Sequence, residues 1–383
     1  MIYIKNAEIY TPDKIIKNGC VLIEGGKIVA MHPRGVPLKP TPGVGFKVID
    51  AKGKILCPGF IDVHLQGAGG YDVLDGTREA LEGISKTLAK FGTTSFLATT
   101  VFKNGKNPHI DNIARFKGGF GANLLGIHLE GPFIDKSKKG MIRENGITSC
   151  SAGHLDKILN TSRGKLKMMT IAPELKGAID IIKKLRKKKI IASFGHSNAD
   201  FEQAQKGIKA GINHVTHLFN AMRPIHHRDP GPLPALLMDN KVSVQLISDG
   251  VHISPAIARL VVKLKGAENI ILITDSMSSM GLGDGKYVYD GWNYESKNGA
   301  CRYKNGTLIG TSLPLNKMLQ RMVQLGGVSL LGAVRMVTIN PARLLGISRK
   351  KGSITPGKDA DLVIMDKDCN ISNTIIAGRV FNG

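Results

Sequence analysis

The chain has 383 residues, 42% of them hydrophobic, and a formal net charge of +23. This apolar content is enough for a large core, and because no run reaches the roughly 18 apolar residues that a membrane-spanning helix needs, we expect no membrane segment. The N-terminus lacks the layout of a signal peptide, and the five scattered cysteines form no CxxC pair, so we expect a cytoplasmic protein with reduced thiols.

The basic charge has three competing explanations: a nucleic-acid partner, an anionic small molecule, or a Lys-rich composition. The run KKLRKKK (Lys183–Lys189) is typical of an exposed helix end, where cations suit the helix dipole. No nucleic-acid motif accompanies this run, and aromatic residues rarely interleave with the basic ones, so we expect no nucleic-acid partner. The positive charge is compatible with attraction of a phosphorylated substrate, but charge alone does not identify the substrate.

Both ends of the chain consist of short strand-like stretches and turns. Residues 1–53 contain two such stretches joined at Gly25-Gly26, where a hairpin is expected, and residues 348–383 have the same texture. Neither end could bury an apolar face alone. We therefore predict one small β domain built from residues 1–53 and 348–383, with a second domain, residues 54–347, inserted between them.

Within the inserted domain, apolar runs alternate with amphipathic segments, which predicts parallel strands joined by helices. Eight runs are interpreted as strands, at 54–65, 93–101, 123–130, 168–173, 190–196, 213–219, 243–249 and 270–275. Helices are predicted between them at, for example, 77–91, 175–189, 199–210 and 254–265, and after them at 313–326, 328–338 and 340–346. Residues 278–311 are Gly-rich and polar and are interpreted as an irregular excursion.

Polar side chains close five of these apolar runs, namely His64, Glu130, His196, His217 and Asp275. In a (β/α)8 barrel the carboxyl ends of all the strands meet on one face, which holds the active site. A doubly wound sheet is the alternative, but these strand ends, and the lack of GxGxxG after the first strand, favour an α/β fold of the TIM-barrel type.

A metal site is the simplest reason for such residues to converge. Glu130, His196 and His217 supply one carboxylate and two imidazoles, which suit zinc, iron or another divalent ion and leave a position for water. His64 and Gln66, two apart on a strand, face the same side and are possible extra ligands. Asp275 could be a helix N-cap, but beside a metal a carboxylate can accept a proton from water and return it to a leaving group.

Several longer motifs resemble the amidohydrolase superfamily and, within it, the N-acetylglucosamine-6-phosphate deacetylases. They cover nearly the whole chain in the family's order: PGFIDVH (58–64), HLEGPF (128–133), GHSNA (195–199), THLFNAM (216–222), SDGVH (248–252), TDSM (274–277), NPARLLG (340–346) and GSITPGKDADLVI (352–364). The last pattern is common to the superfamily, whereas HLEGPF, THLFNAM and DGVH are more specific.

The resemblance implies metal-dependent hydrolysis of the acetamide of N-acetylglucosamine 6-phosphate in amino-sugar catabolism. It implies one divalent metal, zinc or iron first and manganese, cobalt or nickel as alternatives, with Asp275 as the acid–base group. It also implies a homodimer in which Arg228 reaches the neighbouring site. The implied substrate-binding residues, including Arg228, are Met141, Asn220, Ala221, Arg228, His252, Leu308, Ile309 and Gly310.

Two positions depart from the family pattern. Strand one carries His64 and Gln66, between the HxH of two-metal members and the QxN of one-metal members, so we expect one tightly held ion. Ile142 stands where many members have a histidine that polarises the acetyl carbonyl.

Three other functions stay open at this point. One is deacetylation of another phosphorylated amino sugar, of the galactosamine type. Another is cyclic-amide hydrolysis, disfavoured because strand four ends in Pro173-Glu174 instead of lysine. The last is a non-catalytic scaffold, which would have lost metal ligands.

Overall fold

A computed structural model describes residues 1–32 and 47–381. Its centre is a sheet of eight parallel strands in sequential order, which confirms the predicted barrel. The strands are β1 (Phe60–Leu65), β2 (Thr93–Thr100), β3 (Asn123–Glu130), β4 (Leu166–Ile171), β5 (Ile191–Phe194), β6 (His214–Val215), β7 (Ser243–Leu246) and β8 (Ile270–Leu272). The barrel is nearly closed, since the N–H of Asp275, beyond β8, donates to the carbonyl of His64 on β1 at 2.9 Å.

Ten α-helices lie in the part of the chain that the structure describes. They are α1 (Arg78–Lys90), α2 (Pro108–Arg115), α3 (Ala152–Thr161), α4 (Ala178–Lys187), α5 (Phe201–Ala210), α6 (Leu233–Met238), α7 (Pro255–Lys265), α8 (Leu315–Gly326), α9 (Leu330–Val337) and α10 (Ile339–Leu344). Short 3₁₀ turns cover Val73–Asp75, Lys136–Lys138, Glu144–Gly146 and Ala267–Asn269. None of the described helices is both long and apolar enough to cross a bilayer.

Helix α1 shows why these segments fold as they do. The Thr77 side chain accepts a hydrogen bond from the N–H of Ala80, which caps the helix, and the apolar residues recur at helical spacing, so that Leu81, Ile84 and Leu88 are buried on one face. The large phenylalanines of the barrel core are fully buried, and each contributes about 1.5–3 kcal/mol of hydrophobic free energy. A continuous core therefore holds the strand ends in fixed positions.

Strands from both chain ends form a second sheet of eight strands. These strands are Ile2–Tyr10, Ile15–Glu24, Lys27–His32, Lys47–Asp50, Ile55–Pro58, Leu362–Met365, Ile371–Ile376 and Arg379–Phe381. The hairpin expected at Gly25-Gly26 is present, because the strands on either side of it pair antiparallel. The exact domain boundaries stay a prediction, and residues 33–46, part of the predicted small domain, lie outside the described residues.

The first predicted strand, 54–65, is in fact two strands. Ile55–Pro58 pairs antiparallel with Leu362–Met365 in the terminal sheet, whereas β1 belongs to the barrel. Gly59 separates them, and a Cβ atom there would lie 2.2 Å from the Thr94 hydroxyl oxygen. Only glycine therefore fits at the point where the chain passes from one sheet to the other.

The interpretation of 278–311 as irregular was wrong for most of its length. Four antiparallel strands occupy Gly285–Tyr289, Trp292–Lys297, Ala300–Tyr303 and Leu308–Thr311. The turns between the first three strands are Asp290-Gly291 and Asn298-Gly299, both with positive φ. These dipeptides favour tight hairpins, so the glycines mark turns of a sheet and not a loop without structure. A further small hairpin pairs Gly67–Ala68 with Tyr71–Asp72.

Candidate metal centre and active site

Three side chains converge at the carboxyl end of the barrel. Glu130 ends β3, His196 follows β5 and His217 follows β6, and one potential ligand atom from each lies within 4.8 Å of the others. The Nε2 atoms of His196 and His217 each lie 3.0 Å from Oε1 of Glu130 and 3.1 Å from one another. All three residues are buried, so this is a closed cluster and not a chance surface grouping.

The backbone is unusual where these side chains enter the site. His196, His217 and Asp275 have φ values of 49°, 25° and 46°, in the left-handed region that non-glycine residues rarely adopt. Such conformations cost on the order of 1–3 kcal/mol each, and they cluster where function requires a particular side-chain direction. Here the sharp turn after each strand directs the side chain into the mouth of the barrel.

The hydrogen-bond pattern shows that the cluster suits a cation. Nδ1 of His196 lies 2.7 Å from the carbonyl oxygen of Lys138, which can only accept, so Nδ1 carries the proton and Nε2 of a neutral ring presents a lone pair. That lone pair faces Oε1 of Glu130, which is also an acceptor. Acceptors converging at 3.0 Å need a positive charge between them, and a carboxylate with two imidazoles is a donor set for zinc or iron.

Gln66 supports Glu130 through the other carboxylate oxygen. Its Nε2 donates to Oε2 of Glu130 at 2.7 Å, so the amide acts as a donor to a ligand. Among the described histidines and acidic residues, His64 does not belong to the three-residue cluster. This arrangement favours the expected single ion, and the extra-ligand role of the two residues stays a prediction.

Gln245 on β7 fixes the ring of His64. Its Oε1 accepts from the backbone N–H of His217 at 3.2 Å, so this atom is an acceptor, and Nδ1 of His64, 3.0 Å away, must donate to it. Nε2 of His64 then lies 3.2 Å from Oδ1 of Asp275 and 3.5 Å from Oε1 of Glu130. A single buried amide therefore connects strands one, six and seven at the level of the cluster.

The buried carboxylates give the site a strongly negative potential. Burial lowers the pKa of His64, but the nearby carboxylates of Asp275 and Glu130 outweigh it and raise that pKa to about 9. Burial would raise the pKa of Glu130, whereas the positive charge of the nearby His64 holds this pKa well below its usual range. Glu130 is therefore ionised, as a metal ligand must be.

Asp275 is held beside the cluster by the added sheet. The N–H of Thr311 donates to the carbonyl of Asp275 at 3.0 Å, and a Cβ atom at Gly310 would lie 2.3 Å from that same carbonyl oxygen. Glycine at 310 is thus required for the strand to approach. The excursion after β8 consequently braces Asp275, whose Oδ1 faces Nε2 of His64 at 3.2 Å.

One cavity of about 420 Å³ contains most of the predicted site residues. It is lined by Glu130, Met141, His196, His217, Asn220, Ala221, His252, Asp275, Leu308, Ile309 and Gly310. Arg228 does not line it and is exposed, with Nη1 2.8 Å from Nε2 of His227. His64 and Gln66 do not line the cavity but contact Asp275 and Glu130, so that Arg228 is the predicted site residue that lies apart. The individual roles of all these residues stay predictions.

Ile142 points away from this cavity. It is 1% exposed and packs with Val101, Ile134 and Ile147 in a small apolar cluster, whereas its neighbour Met141 lines the cavity. The second position noted above as departing from the family pattern is therefore filled by a core residue.

Two supporting carboxylates were missed from the sequence. Oδ2 of Asp249 lies 2.6 Å from Nδ1 of His252, and Oδ1 accepts the backbone N–H of His252 at 2.8 Å, so Asp249 orients this ring. Glu174 accepts hydrogen bonds from the Ser197 hydroxyl and the Asn198 N–H, both at 2.7 Å, and so anchors the turn after His196. An acid three residues before a predicted site histidine was the available signal for Asp249.

The barrel, the terminal sheet and the Glu-His-His cluster define the class of this protein. The amidohydrolase family model matches residues 55–381, and the chain belongs to this family of metal-dependent enzymes. It is 36% identical to the N-acetylglucosamine-6-phosphate deacetylase of Bacillus subtilis (strain 168), over 99% of this chain and 96% of that protein.

Two further relatives bear on the substrate. The chain is 33% identical to the N-acetylgalactosamine-6-phosphate deacetylase of Escherichia coli O157:H7, over 94% of this chain and 93% of that protein. A mutant N-acetyl-D-glucosamine-6-phosphate deacetylase from Mycobacterium smegmatis, solved with N-acetyl-D-glucosamine-6-phosphate, superposes with a TM-score of 0.91 at 30% identity, covering 100% of this chain and 99% of that one.

Proposed function

We propose that this chain hydrolyses the acetamide of N-acetylglucosamine 6-phosphate to glucosamine 6-phosphate and acetate, in the breakdown of amino sugars. The observation that carries the proposal is the meeting of Glu130, His196 and His217 with the carboxylate of Asp275 in one cavity. The full-length similarity to deacetylases of this substrate supports it. The intact cluster argues against a non-catalytic scaffold.

Glu130, His196 and His217 would hold one divalent ion, with zinc or iron first and manganese, cobalt or nickel as alternatives. When bound, such an ion polarises a carbonyl oxygen and lowers the pKa of a nearby water. Gln66 keeps the Glu130 carboxylate in its orientation, and the carbonyl of Lys138 fixes the His196 tautomer. Hydrogen bonds of this kind, made to the residues that bind a metal, tune its affinity.

Asp275 is the proposed acid–base residue. As a carboxylate it takes the proton from the attacking water while a new carbon–oxygen bond forms at the acetyl carbon. It then gives that proton to the sugar nitrogen as the carbon–nitrogen bond breaks, releasing the amine and acetate. The contact with Nε2 of His64 orients the carboxylate for both transfers.

Substrate binding falls to the rim of the cavity. His252, oriented by Asp249, together with Asn220 and Ala221 from the loop after β6, would contact the sugar phosphate. Met141 and the segment Leu308–Gly310 would form the opposite wall. Since Arg228 lies outside this chain's own cavity, we propose a homodimer in which it reaches the phosphate in the partner's site. We further propose a cytoplasmic location, consistent with five free cysteines.

A second candidate substrate is N-acetylgalactosamine 6-phosphate, favoured by the similarity to a deacetylase of that sugar phosphate. The two sugars differ only in the configuration of one hydroxyl group, which is distant from the acetamide. The same residues would therefore carry out the same chemistry on either.

Acetate release tests the proposal directly. The metal-loaded protein is assayed with both phosphorylated sugars and with unphosphorylated N-acetylglucosamine. We expect the highest kcat/KM for N-acetylglucosamine 6-phosphate and a much lower value without the phosphate. A preference for the galactosamine compound would select the second candidate, and release from none of the three would refute the proposed activity.

A further inference from the structure

A second cavity lies at the end of the barrel opposite the metal cluster. It has a volume of about 650 Å³ and is lined by residues at the amino ends of strands, such as Ile191, which begins β5, and Asn213, which precedes β6. The candidate metal ligands follow the carboxyl ends of strands in the same barrel. This second cavity is therefore separated from the active site by the length of the barrel.

Four cations line this cavity, namely Lys167, Arg186, Lys189 and Lys241. The only carboxylate in its lining is that of Asp239, whose Oδ1 already accepts the backbone N–H of Lys241 at 2.8 Å. Within residues 1–32 and 47–381, none of the four cations forms an ion pair with a carboxylate within 4.0 Å. The cavity therefore has a positive potential that the protein itself leaves uncompensated.

Part of the cavity wall is apolar, and a glycine beside it makes room for one of the cations. Ile208, Ile212 and Leu344 contribute hydrophobic surface. The side chain of Arg186 lies across Gly211, where an added Cβ atom would come within 2.9 Å of the arginine Cδ, and where φ is +136°. Glycine at 211 thus leaves the space that the arginine stem occupies beside the cavity.

We propose that this cavity binds a small molecule that carries more than one phosphate group. Guanidinium and ammonium groups form strong, charge-assisted hydrogen bonds with phosphate, and the volume lies in the roughly 300–1,000 Å³ range of small-ligand sites. A membrane surface fits less well, because the cations surround a concavity instead of a protruding apolar face. Single-stranded nucleic acid fits less well, because no lining residue is an aromatic on which a base could stack.

The assignment explains part of the basic run at Lys183–Lys189, which the active site does not use. Arg186 and Lys189 line the cavity, whereas Lys183, Lys184, Lys187 and Lys188 do not. All six are exposed. One stretch of sequence therefore supplies both candidate ligand-binding cations and matched controls, and the inference does not depend on the proposed hydrolysis.

Calorimetric titration with fructose 1,6-bisphosphate, a bisphosphate without an acetamide, tests the proposal on the metal-loaded full chain at about 0.15 M salt. Two variants, Arg186→Gln/Lys241→Gln and Lys167→Gln/Lys189→Gln, each remove two cavity cations. We expect each to weaken binding by at least about tenfold. The control Lys183→Gln/Lys187→Gln removes the same amount of charge outside the cavity, from α4, the helix that carries Arg186. We expect its Kd to stay within about twofold.

The metal content, acetate release and thermal midpoint of every variant are measured as controls for folding. Because the substituted residues lie far from the active site, we expect all three to match the wild type. The proposal is overturned if the wild-type protein shows no saturable binding, or if the control loses as much affinity as the cavity variants. It is also overturned if only a nucleic-acid chain binds and the bisphosphate does not displace it.

Discussion

The amide of Gln66 donates a 2.7 Å hydrogen bond to Oε2 of Glu130 and leaves Oε1 facing the two histidines of the cluster. A residue that the sequence offered as a possible extra ligand thus donates to Glu130, and its role as a ligand stays a prediction. The arrangement leaves one oxygen of Glu130 free to bind a metal, which favours the expected single ion.

Replacing Gln66 by methionine, which has a similar shape but no donor, leaves Oε2 of Glu130 buried without that partner. We expect metal affinity to fall by about 10- to 100-fold, which is the usual effect of removing a hydrogen-bond partner of a metal ligand. Competition with a chelator, followed by metal analysis, measures this. The wild type should bind one ion per chain, and two tightly bound ions, or unchanged affinity in the variant, would refute the assignment.

The Asp249→Asn variant tests the orientation of His252. The carboxylate accepts from Nδ1 of the ring, and an amide at this position can instead donate to Nδ1 and invert the tautomer. We expect KM for the sugar phosphate to rise by about tenfold with metal content unchanged. The neighbouring Ser248→Ala variant, which loses only a bond to the Met318 carbonyl, is the control. Equal KM values in both variants would remove Asp249 from substrate binding.

Mixing two inactive variants tests the homodimer with a shared site. In a dimer of Asp275→Asn and Arg228→Ala chains, one of the two sites has both an intact Asp275 and an intact partner arginine. We expect subunit exchange in an equal mixture to restore about a quarter of wild-type acetate release, because half of the dimers are mixed and each has one good site. No recovery, despite exchange detected by labelled subunits, would place Arg228 outside the partner's site.

Asp72 should make stability depend on pH. Burial raises its pKa to about 8 from the usual 3.8, and its Oδ2 has no partner among the described residues. The folded protein therefore keeps the proton that the unfolded chain releases, so that this contribution to stability is complete below about pH 4 and is lost as the pH rises towards 8.

The Asp72→Asn variant removes this titration. Its free energy of unfolding, relative to wild type, should rise between pH 5 and 8 by about 1 kcal/mol or more and level off above pH 8. Urea denaturation at several pH values measures the difference. The control is Asp200→Asn, at the N-cap of α5. It measures how much the free energy of unfolding changes when a capping carboxylate is replaced by an amide. A difference for Asp72→Asn that does not change with pH would show that Asp72 is ionised in the fold.

The barrel could be predicted from the sequence because its strands are buried on both faces and appear as short apolar runs. The polar residues at the ends of five of these runs then identified the site, since parallel strands place their carboxyl ends together. Strand ends were the least certain part. The run 54–65, for example, contains a passage between two sheets at Gly59 that only the packing against Thr94 reveals.

Residues that act through other residues were harder to predict. Gln245 lies inside an apolar run, and its role depends on which ring and which backbone N–H lie across the barrel from it. Such roles depend on contacts distant in the chain, which no local pattern contains.

The sheet at 285–311 was missed for a different reason. Its Asp-Gly and Asn-Gly turns were visible, but the glycine content was interpreted as irregularity.

The most direct test of the account compares acetate release by the wild type and by Asp275→Asn, both loaded with metal. Asp275 is outside the three-residue cluster, so the variant should keep its metal while losing the group that moves the proton. We expect kcat on N-acetylglucosamine 6-phosphate to fall by at least about 10³-fold with one ion still bound per chain. Near-normal turnover by the variant would contradict the central claim that this carboxylate and the neighbouring cluster form one hydrolytic site.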